Sequence, residues 1–222
     1  MTIYMIFDTE TTGLPNGVYV VENYNLNLWP YIVQLSYIIY NDETNEIIKK
    51  KNSILKLPNN IIIPNNVVLI HGITNETSQK YGTDCVSSLI GFMEDYSKVD
   101  ILIAHNITFD VNMIRVELLR HVLYDEFIKL KETKKHYCTM KSTINLCNLK
   151  QINQRTKCEY LKFPKLIELH QHLFNIELEP TKLHNAFNDV LICLRCYFKL
   201  KFNEDVCEKN KSLNGFISNL LK

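Results

Sequence analysis

Short apolar runs separated by turn signals dominate the first third of the chain. Ile3 to Phe7 is mostly apolar and runs into charged residues, and Thr11-Thr12-Gly13-Leu14-Pro15 follows, which predicts a strand and then a turn. Tyr31 to Tyr40 is rich in β-branched and aromatic residues and closes on Asn41-Asp42, the mark of a second strand and a hairpin turn. Glu46 to Leu57 is its expected antiparallel partner, and Gly17 to Pro30 is expected to be a long loop carrying the only tryptophan, Trp29.

Helical spacing then takes over. Val86, Leu89, Ile90, Met93 and Tyr96 predict a helix over Cys85 to Tyr96, with Asp84 as its N-cap. Ile101 to Ala104 reads as a short buried strand. Helical periodicity resumes from Phe109 to Val122 through Val111, Ile114, Leu118 and Leu119. From Tyr124 to Tyr160 apolar positions are too sparse for an assignment beyond a short helix near Met140 to Leu146. Leu166 to Phe174 and Phe187 to Phe202 are amphipathic, and the polar run to Lys211 reads as a linker to a last short helix. No internal repeat is visible. The pattern predicts one α/β domain over residues 1–203, part antiparallel and part parallel crossover, with residues 204–222 as a C-terminal tail.

Composition narrows the function classes. Apolar residues are 46% and charged residues 22% of 222, ordinary globular usage that excludes a disordered or fibrous chain. A net charge of +1 excludes nucleic-acid binding through a global positive field but permits a local basic strip beside an acidic site. The seven cysteines are odd in number and scattered, with no export signal ahead of them. Reduced thiols in an intracellular, reducing compartment, cytoplasmic or nuclear, are therefore expected. No apolar run reaches the roughly 18 residues that span a bilayer, so no membrane partner is expected.

The candidate chemistry begins with Asp8 and Glu10. Strand side chains alternate, so both carboxylates can leave one face at the end of an apolar strand. Two such groups aimed at one point repel unless a cation lies between them, and a hard ion such as Mg²⁺ suits oxygen ligands. An isolated DxE is more often a polar strand end, but the whole segment here is Phe7-Asp8-Thr9-Glu10-Thr11-Thr12-Gly13-Leu14. It resembles the first motif of the DEDDh, or DnaQ-like, 3′-to-5′ exonucleases, the family of the proofreading subunit of bacterial DNA polymerase III. Ile103-Ala104-His105-Asn106-Ile107-Thr108-Phe109-Asp110 is similar to that family's HNxxFD element, and His184-Asn185-Ala186-Phe187-Asn188-Asp189 to its HxAxxD signature. Smaller similarities are Ile32-Val33-Gln34-Leu35 and His71-Gly72-Ile73-Thr74.

The resemblance implies an α/β, ribonuclease H-like fold with a mixed five-stranded sheet flanked by helices. It implies two Mg²⁺ ions, replaceable by Mn²⁺, held by Asp8, Glu10, Asp110 and Asp189. Two cations about 3.5 to 4 Å apart can bind the attacking and leaving oxygens of one in-line displacement. By the same resemblance Asp8 bridges both ions, Glu10 and Asp189 complete one site, and Asp110 supports the other. His184 is the implied general base, since a neutral imidazole can take a proton from the attacking water near neutral pH. A mobile loop ahead of the last long helix is its expected setting. Thr11, Leu14 and His71 are implied contacts to the terminal nucleotide, and Asn106 and Phe109 line the groove, with Phe109 either stacking on a base or packing beneath the site. The implied substrate is a single-stranded or frayed 3′ end of DNA, with RNA as the alternative, and a DNA polymerase is the candidate protein partner. An inactive scaffold is disfavoured because all four carboxylates and the histidine are present.

Other features read as structural. Cys193 and Cys196 form a lone CxxC on an apolar helix, where thiols pack. His170 and His172 are two apart on a helix and point in different directions. Lys129 to Lys135 reads first as a solvated face, with Lys141, Lys150 and Arg155 extending the basic character of the same stretch. That stretch is the expected place for substrate-strand contacts.

Overall fold

A computed structural model describes residues 1–131 and 134–221, without the side chain of Lys131. Five strands make the central sheet: β1 (Ile3–Thr11), β2 (Ile32–Asn41), β3 (Glu46–Ile54), β4 (Ile101–Ala104) and β5 (Lys135–Cys138). Their order is β3-β2-β1-β4-β5, with β1, β2 and β3 antiparallel to their neighbours and β1, β4 and β5 parallel. The expected mixed five-stranded, ribonuclease H-like α/β sheet is thus present.

Between β3 and β4 lie α1 (Asn65–His71), α2 (Asn75–Tyr81) and α3 (Cys85–Tyr96). α4 (Ile107–Arg120) and α5 (Tyr124–Lys131) follow β4. The expected N-cap of α3 is present, since the Asp84 carboxylate accepts the Ser87 N–H at 2.8 Å. After β5 come α6 (Thr139–Ser142), α7 (Ile144–Cys147), a separate hairpin of β6 (Lys150–Ile152) and β7 (Glu159–Leu161), α8 (Leu166–Phe174), α9 (Ala186–Phe202), α10 (Val206–Lys209) and α11 (Lys211–Leu221).

The pleat of β1 sorts its side chains between two cores. Met5 and Phe7 enter the layer built with Leu89, Phe92, Val111, Ile114 and Leu118 from α3 and α4. Tyr4 and Ile6 enter the opposite layer with Leu169 of α8 and Val190, Leu194 and Phe198 of α9. Burying a large apolar side chain contributes about 1.5 to 3 kcal/mol, so this sorting pins the register of β1. Asp8 and Glu10 continue the α9 side, whereas Thr9 points toward α4.

Four sequence expectations change. β1 runs through Thr11, the first residue of the expected turn, because its backbone keeps pairing with β2 (Asp8 with Ser36, Glu10 with Gln34) after its side chains turn polar. The loop from Gly17 to Pro30 contains a 3-10 turn over Asn23–Leu28. The unassigned stretch supplies β5 and a hairpin. The polar run after Phe202, expected as a linker, contains α10, and the expected last short helix is α11, whose Leu213 and Ile217 are buried in the α9-side core. Asp205 accepts the Arg195 guanidinium at 2.6 Å and 3.0 Å, and Arg195 donates at 3.0 Å to Nε2 of the fully buried His170, tying α8 and α9 to the chain entering α10. His172, two residues on, is exposed.

Candidate active site

β4 pairs with β1 only from Tyr4 to Ile6, so the rest of β1 overhangs the carboxyl end of β4. That notch between parallel strands is where open α/β sheets gather functional groups. Asp8 and Glu10 enter it from the strand, and Asp189 enters from the first turn of α9. Carboxylate oxygens of Asp8, Glu10 and Asp189 lie within 4.8 Å of one another.

Asp110 arrives from the first turn of α4 and is 2% exposed. Its Oδ1 accepts the Thr9 backbone N–H at 3.1 Å and the Thr9 hydroxyl at 2.8 Å. Thr9 therefore fixes the one carboxylate that stands on the other side of β1 from Asp189. The alternation of Asp8, Thr9 and Glu10 was a readable signal for this role, although the motif draws attention only to the acids.

The four acids disturb one another. Burial, then the charges of Asp110, Asp189 and Glu10, push the Asp8 carboxyl well up. Burial and then Asp189 and Asp110 raise Glu10 to about 8. Burial also raises Asp110 and Asp189, against the hydrogen bonds from Thr9 and from the His184 backbone. A hard divalent cation fits this donor set, because oxygen ligands converge and their repulsion is what such an ion removes.

His184 sits between a 3-10 turn over Pro180–Lys182 and α9, with a left-handed φ of 63° and an exposed side chain. This conformation turns its backbone N–H onto Asp189 Oδ2 at 3.1 Å. His184 lines a cavity of about 500 Å³ together with Asp8, Asp189, Asn106, Met140, Phe163 and Lys165. Asn106 holds the left-handed position before α4, which asparagine tolerates.

The remaining expected contacts are spread more widely. His71 is buried, and its Nδ1 accepts the Ile73 N–H at 3.0 Å. Burial lowers its pKa, the nearby Thr11 carbonyl opposes that shift, and His184 adds to it, so these residues are neighbours. The Thr11 hydroxyl donates to the Gly13 carbonyl at 2.6 Å, and Leu14 is 81% exposed. Phe109 is partly buried against the α4-side core, which favours the packing role over base stacking.

Two further residues organise the site. Gln34, opposite Glu10 and 2% exposed, accepts the Ala186 N–H at 3.1 Å and donates to Asn52 at 2.8 Å. It therefore sets where α9 begins and so where Asp189 points. Gln34→Ala is expected to leave the Ala186 N–H buried and unpaired, costing about 1 to 3 kcal/mol of stability. Activity should fall about 10- to 100-fold, as for residues that orient metal ligands. Thermal melts and steady-state kinetics check both, and an unchanged kcat would refute the role. His105 is the second: its Nε2–H donates to the Pro164 carbonyl at 3.0 Å, leaving Nδ1 to accept the Thr139 hydroxyl at 2.9 Å. Burial lowers its pKa to about 4, so it stays neutral and keeps this tautomer. Its partners lie 34 and 59 residues away, and no local pattern announces them.

The features read as structural stay so. Cys193 and Cys196 are buried with their thiols pushed up by burial, and all seven cysteines are free. Lys134 donates to the Ser97 carbonyl at 2.8 Å near the end of α3, and Lys129 pairs with Glu126 at 2.7 Å. Lys135 pairs with Ile101 where β4 begins, at the opposite end of that strand from the carboxylates, which removes Lys134 and Lys135 from the expected strand-binding stretch. The part of the Lys129 to Lys135 run at residues 132 and 133 lies outside the described residues. A second grouping of possible ligands, Cys85, Glu117 and His121, already has its negative charge met by Arg120 at 2.7 Å. Among the described residues no helix is long and apolar enough to cross a membrane.

The family model for exonucleases (RNase_T) matches residues 5–197. The chain belongs to this family. Residues 5–197 are thus an exonuclease-family domain. Solved structures with the same fold include E. coli exonuclease I in complex with a dT13 oligonucleotide, at TM-score 0.64 and 16% identity over 90% of this chain and 41% of that one. The zinc-bound form of the E. coli exonuclease I complex with ssDNA matches at TM-score 0.64 and 16% identity, over 91% and 42%. A moderately thermophilic exonuclease I from Methylocaldum szegediense matches at TM-score 0.62 and 16% identity, over 92% and 42%. The chain therefore spans less than half the length of these relatives. No curated protein matches its sequence.

Proposed function

We propose that the chain is a 3′-to-5′ exonuclease that hydrolyses the terminal phosphodiester of single-stranded DNA and releases nucleoside 5′-monophosphates. The observation that carries this reading is the convergence of Asp8, Glu10 and Asp189 beside a cavity that His184 also lines. The fold shared with exonuclease I, solved with DNA oligonucleotides, supports the choice of DNA. Asp8, Glu10 and Asp189 would hold one divalent ion and Asp8 with Asp110 a second, Mg²⁺ by preference for carboxylate oxygen and Mn²⁺ as a substitute. When bound, the ions supply Lewis-acid stabilisation of the charge that grows on the phosphoryl oxygens.

The chain's own groups do the rest. The exposed His184 imidazole takes a proton from the attacking water as the new P–O bond forms and the bond to the upstream 3′-oxygen breaks. The backbone bond from His184 to Asp189 links the base to a metal-holding carboxylate, so both move with the start of α9. Such trimming suits proofreading or repair beside a DNA polymerase, and the free thiols suit a reducing compartment.

End-labelled DNA and RNA oligonucleotides of one sequence, incubated with the protein and Mg²⁺, test this directly. A ladder shortening from the 3′ end of DNA is expected, with mononucleotide product and no cleavage in EDTA. Faster digestion of RNA would move the assignment to a ribonuclease, and internal cuts would refute an exonuclease.

A further inference from the structure

Residues 139–165, between β5 and α8, carry a charge unlike the rest of the chain. They hold six basic side chains, Lys141, Lys150, Arg155, Lys157, Lys162 and Lys165, against one carboxylate, Glu159, a net of +5. The whole chain is +1, so the remainder is −4. Interleaved with these charges are Leu146, Ile152, Tyr160 and Phe163, which are 45% to 55% exposed. Exposed rings beside cations are the combination that sequence-tolerant single-strand binders use, with bases stacking on the rings and phosphates meeting the charges.

The segment is also fastened to the site. His105 accepts from Thr139 at one end and donates to Pro164 at the other. Lys141 reaches the Thr108 hydroxyl at 2.9 Å beside the α4 N-terminus. Met140, Phe163, Pro164 and Lys165 line the same cavity as Asp8 and His184. The β6–β7 hairpin leaves from this base, closed by the Lys162 N–H on the Leu149 carbonyl at 2.9 Å, and carries Arg155 and Lys157 exposed in its turn.

We propose that this hairpin segment binds the single-stranded nucleic acid lying upstream of the scissile bond, its exposed Arg155 and Lys157 on the phosphates, since Lys150 and Lys162 pair with Glu159 and Glu168, and its exposed Tyr160 and Phe163 against the bases. This rests on the exonuclease reading above and adds to it a holding surface. The negative remainder of the chain repels a polyanion, which leaves this strip as the favoured track out of the cavity. Aromatic stacking tolerates any base, so the surface would hold a strand while its sequence changes at each cut.

The test compares the wild type with Arg155→Glu/Lys157→Glu, a change confined to an exposed turn. Two probes are used: an oligo-dT of about 20 nucleotides, and thymidine 5′-(p-nitrophenyl phosphate), which has no upstream strand to hold. For the double variant the oligonucleotide KM is expected to rise about tenfold or more with kcat within twofold. Its log KM against log salt should flatten by about 1 to 2, as expected for lost phosphate contacts. Hydrolysis of the p-nitrophenyl ester should not change. Tyr160→Ser should raise KM as well, at an unaltered salt slope. If the wild type digests both probes and the oligonucleotide KM of the double variant is unmoved, the hairpin proposal is overturned while the exonuclease reading stands, and an acidic protein partner becomes the occupant to seek. Wild-type protein inert on both probes overturns the exonuclease reading and the hairpin proposal together.

Discussion

Asp8→Asn is expected to lower kcat by about 10³-fold or more while making the metal-free protein more stable at pH 8. The loss follows from position: Asp8 lies within reach of Glu10 and Asp189 and feels Asp110, and the proposed site assigns it to both cation positions. The gain follows from repulsion. Glu10 is raised from 4.5 to about 8 by burial and by its acidic neighbours. The folded protein therefore binds protons more tightly than the unfolded chain across that window. Stability linked to these groups is complete below about pH 4.5 and is lost as pH rises toward about 8. Metal-free wild type should accordingly melt at lower temperature at pH 8 than at pH 5, and millimolar Mg²⁺ should restore the difference chiefly at pH 8. An amide at position 8 removes one of the crowded charges and should raise the metal-free Tm at pH 8 by about 2 to 4 °C, the shift that about 1 kcal/mol gives in a chain of this size. Calorimetry at both pH values, with and without Mg²⁺, decides the matter. A metal-free Tm that rises from pH 5 to pH 8, or a variant retaining a tenth of wild-type turnover, would contradict the assigned site.

His184→Ala should lower kcat by about 10²- to 10⁴-fold with KM within a few-fold and with Mg²⁺ stabilisation retained. The imidazole is exposed and outside both cores, so its loss should not unfold the protein. The backbone N–H on Asp189 persists in alanine, which separates the proton-taking role from the positioning one. The left-handed φ of 63° is costlier for alanine than for a residue that tolerates it, and His184→Asn is the control that keeps the conformation without the base. Equal losses in both variants point to proton transfer. Recovery in the asparagine variant alone would make the backbone geometry the cause.

Much of this architecture was readable because local pattern and tertiary environment agreed. α3 and α8 fill the predicted ranges, since their apolar positions repeat on one face and that face is the one buried. The motifs around Asp8, Asp110 and Asp189 could be picked out because a site made of carboxylates needs those residues whatever surrounds them. β5 escaped because an edge strand with exposed Lys135 and His136 has little apolar pattern, and its pairing with β4 carries it. Of the C-terminal elements the last helix was expected, and α10 escaped because it is a single turn, Val206–Lys209, in a polar stretch, with Val206 as its buried residue.

The division between chain and fold is clearest at the carboxylates. Residue type and strand periodicity alone place Asp8 and Glu10 on one face, because alternation is a property of any β-strand. That Asp189 meets them, that Thr9 holds Asp110 and that Gln34 sets the start of α9 depend on contacts between residues about 100 to 180 positions apart. The basic strip likewise lies open in the composition of residues 139–165, but tertiary contacts, the two hydrogen bonds of His105 and that of Lys141 with Thr108, bring it to the cavity. A sequence states which charges exist. Their distances, and hence the repulsion that a metal relieves, arise only when the sheet is assembled and water is removed.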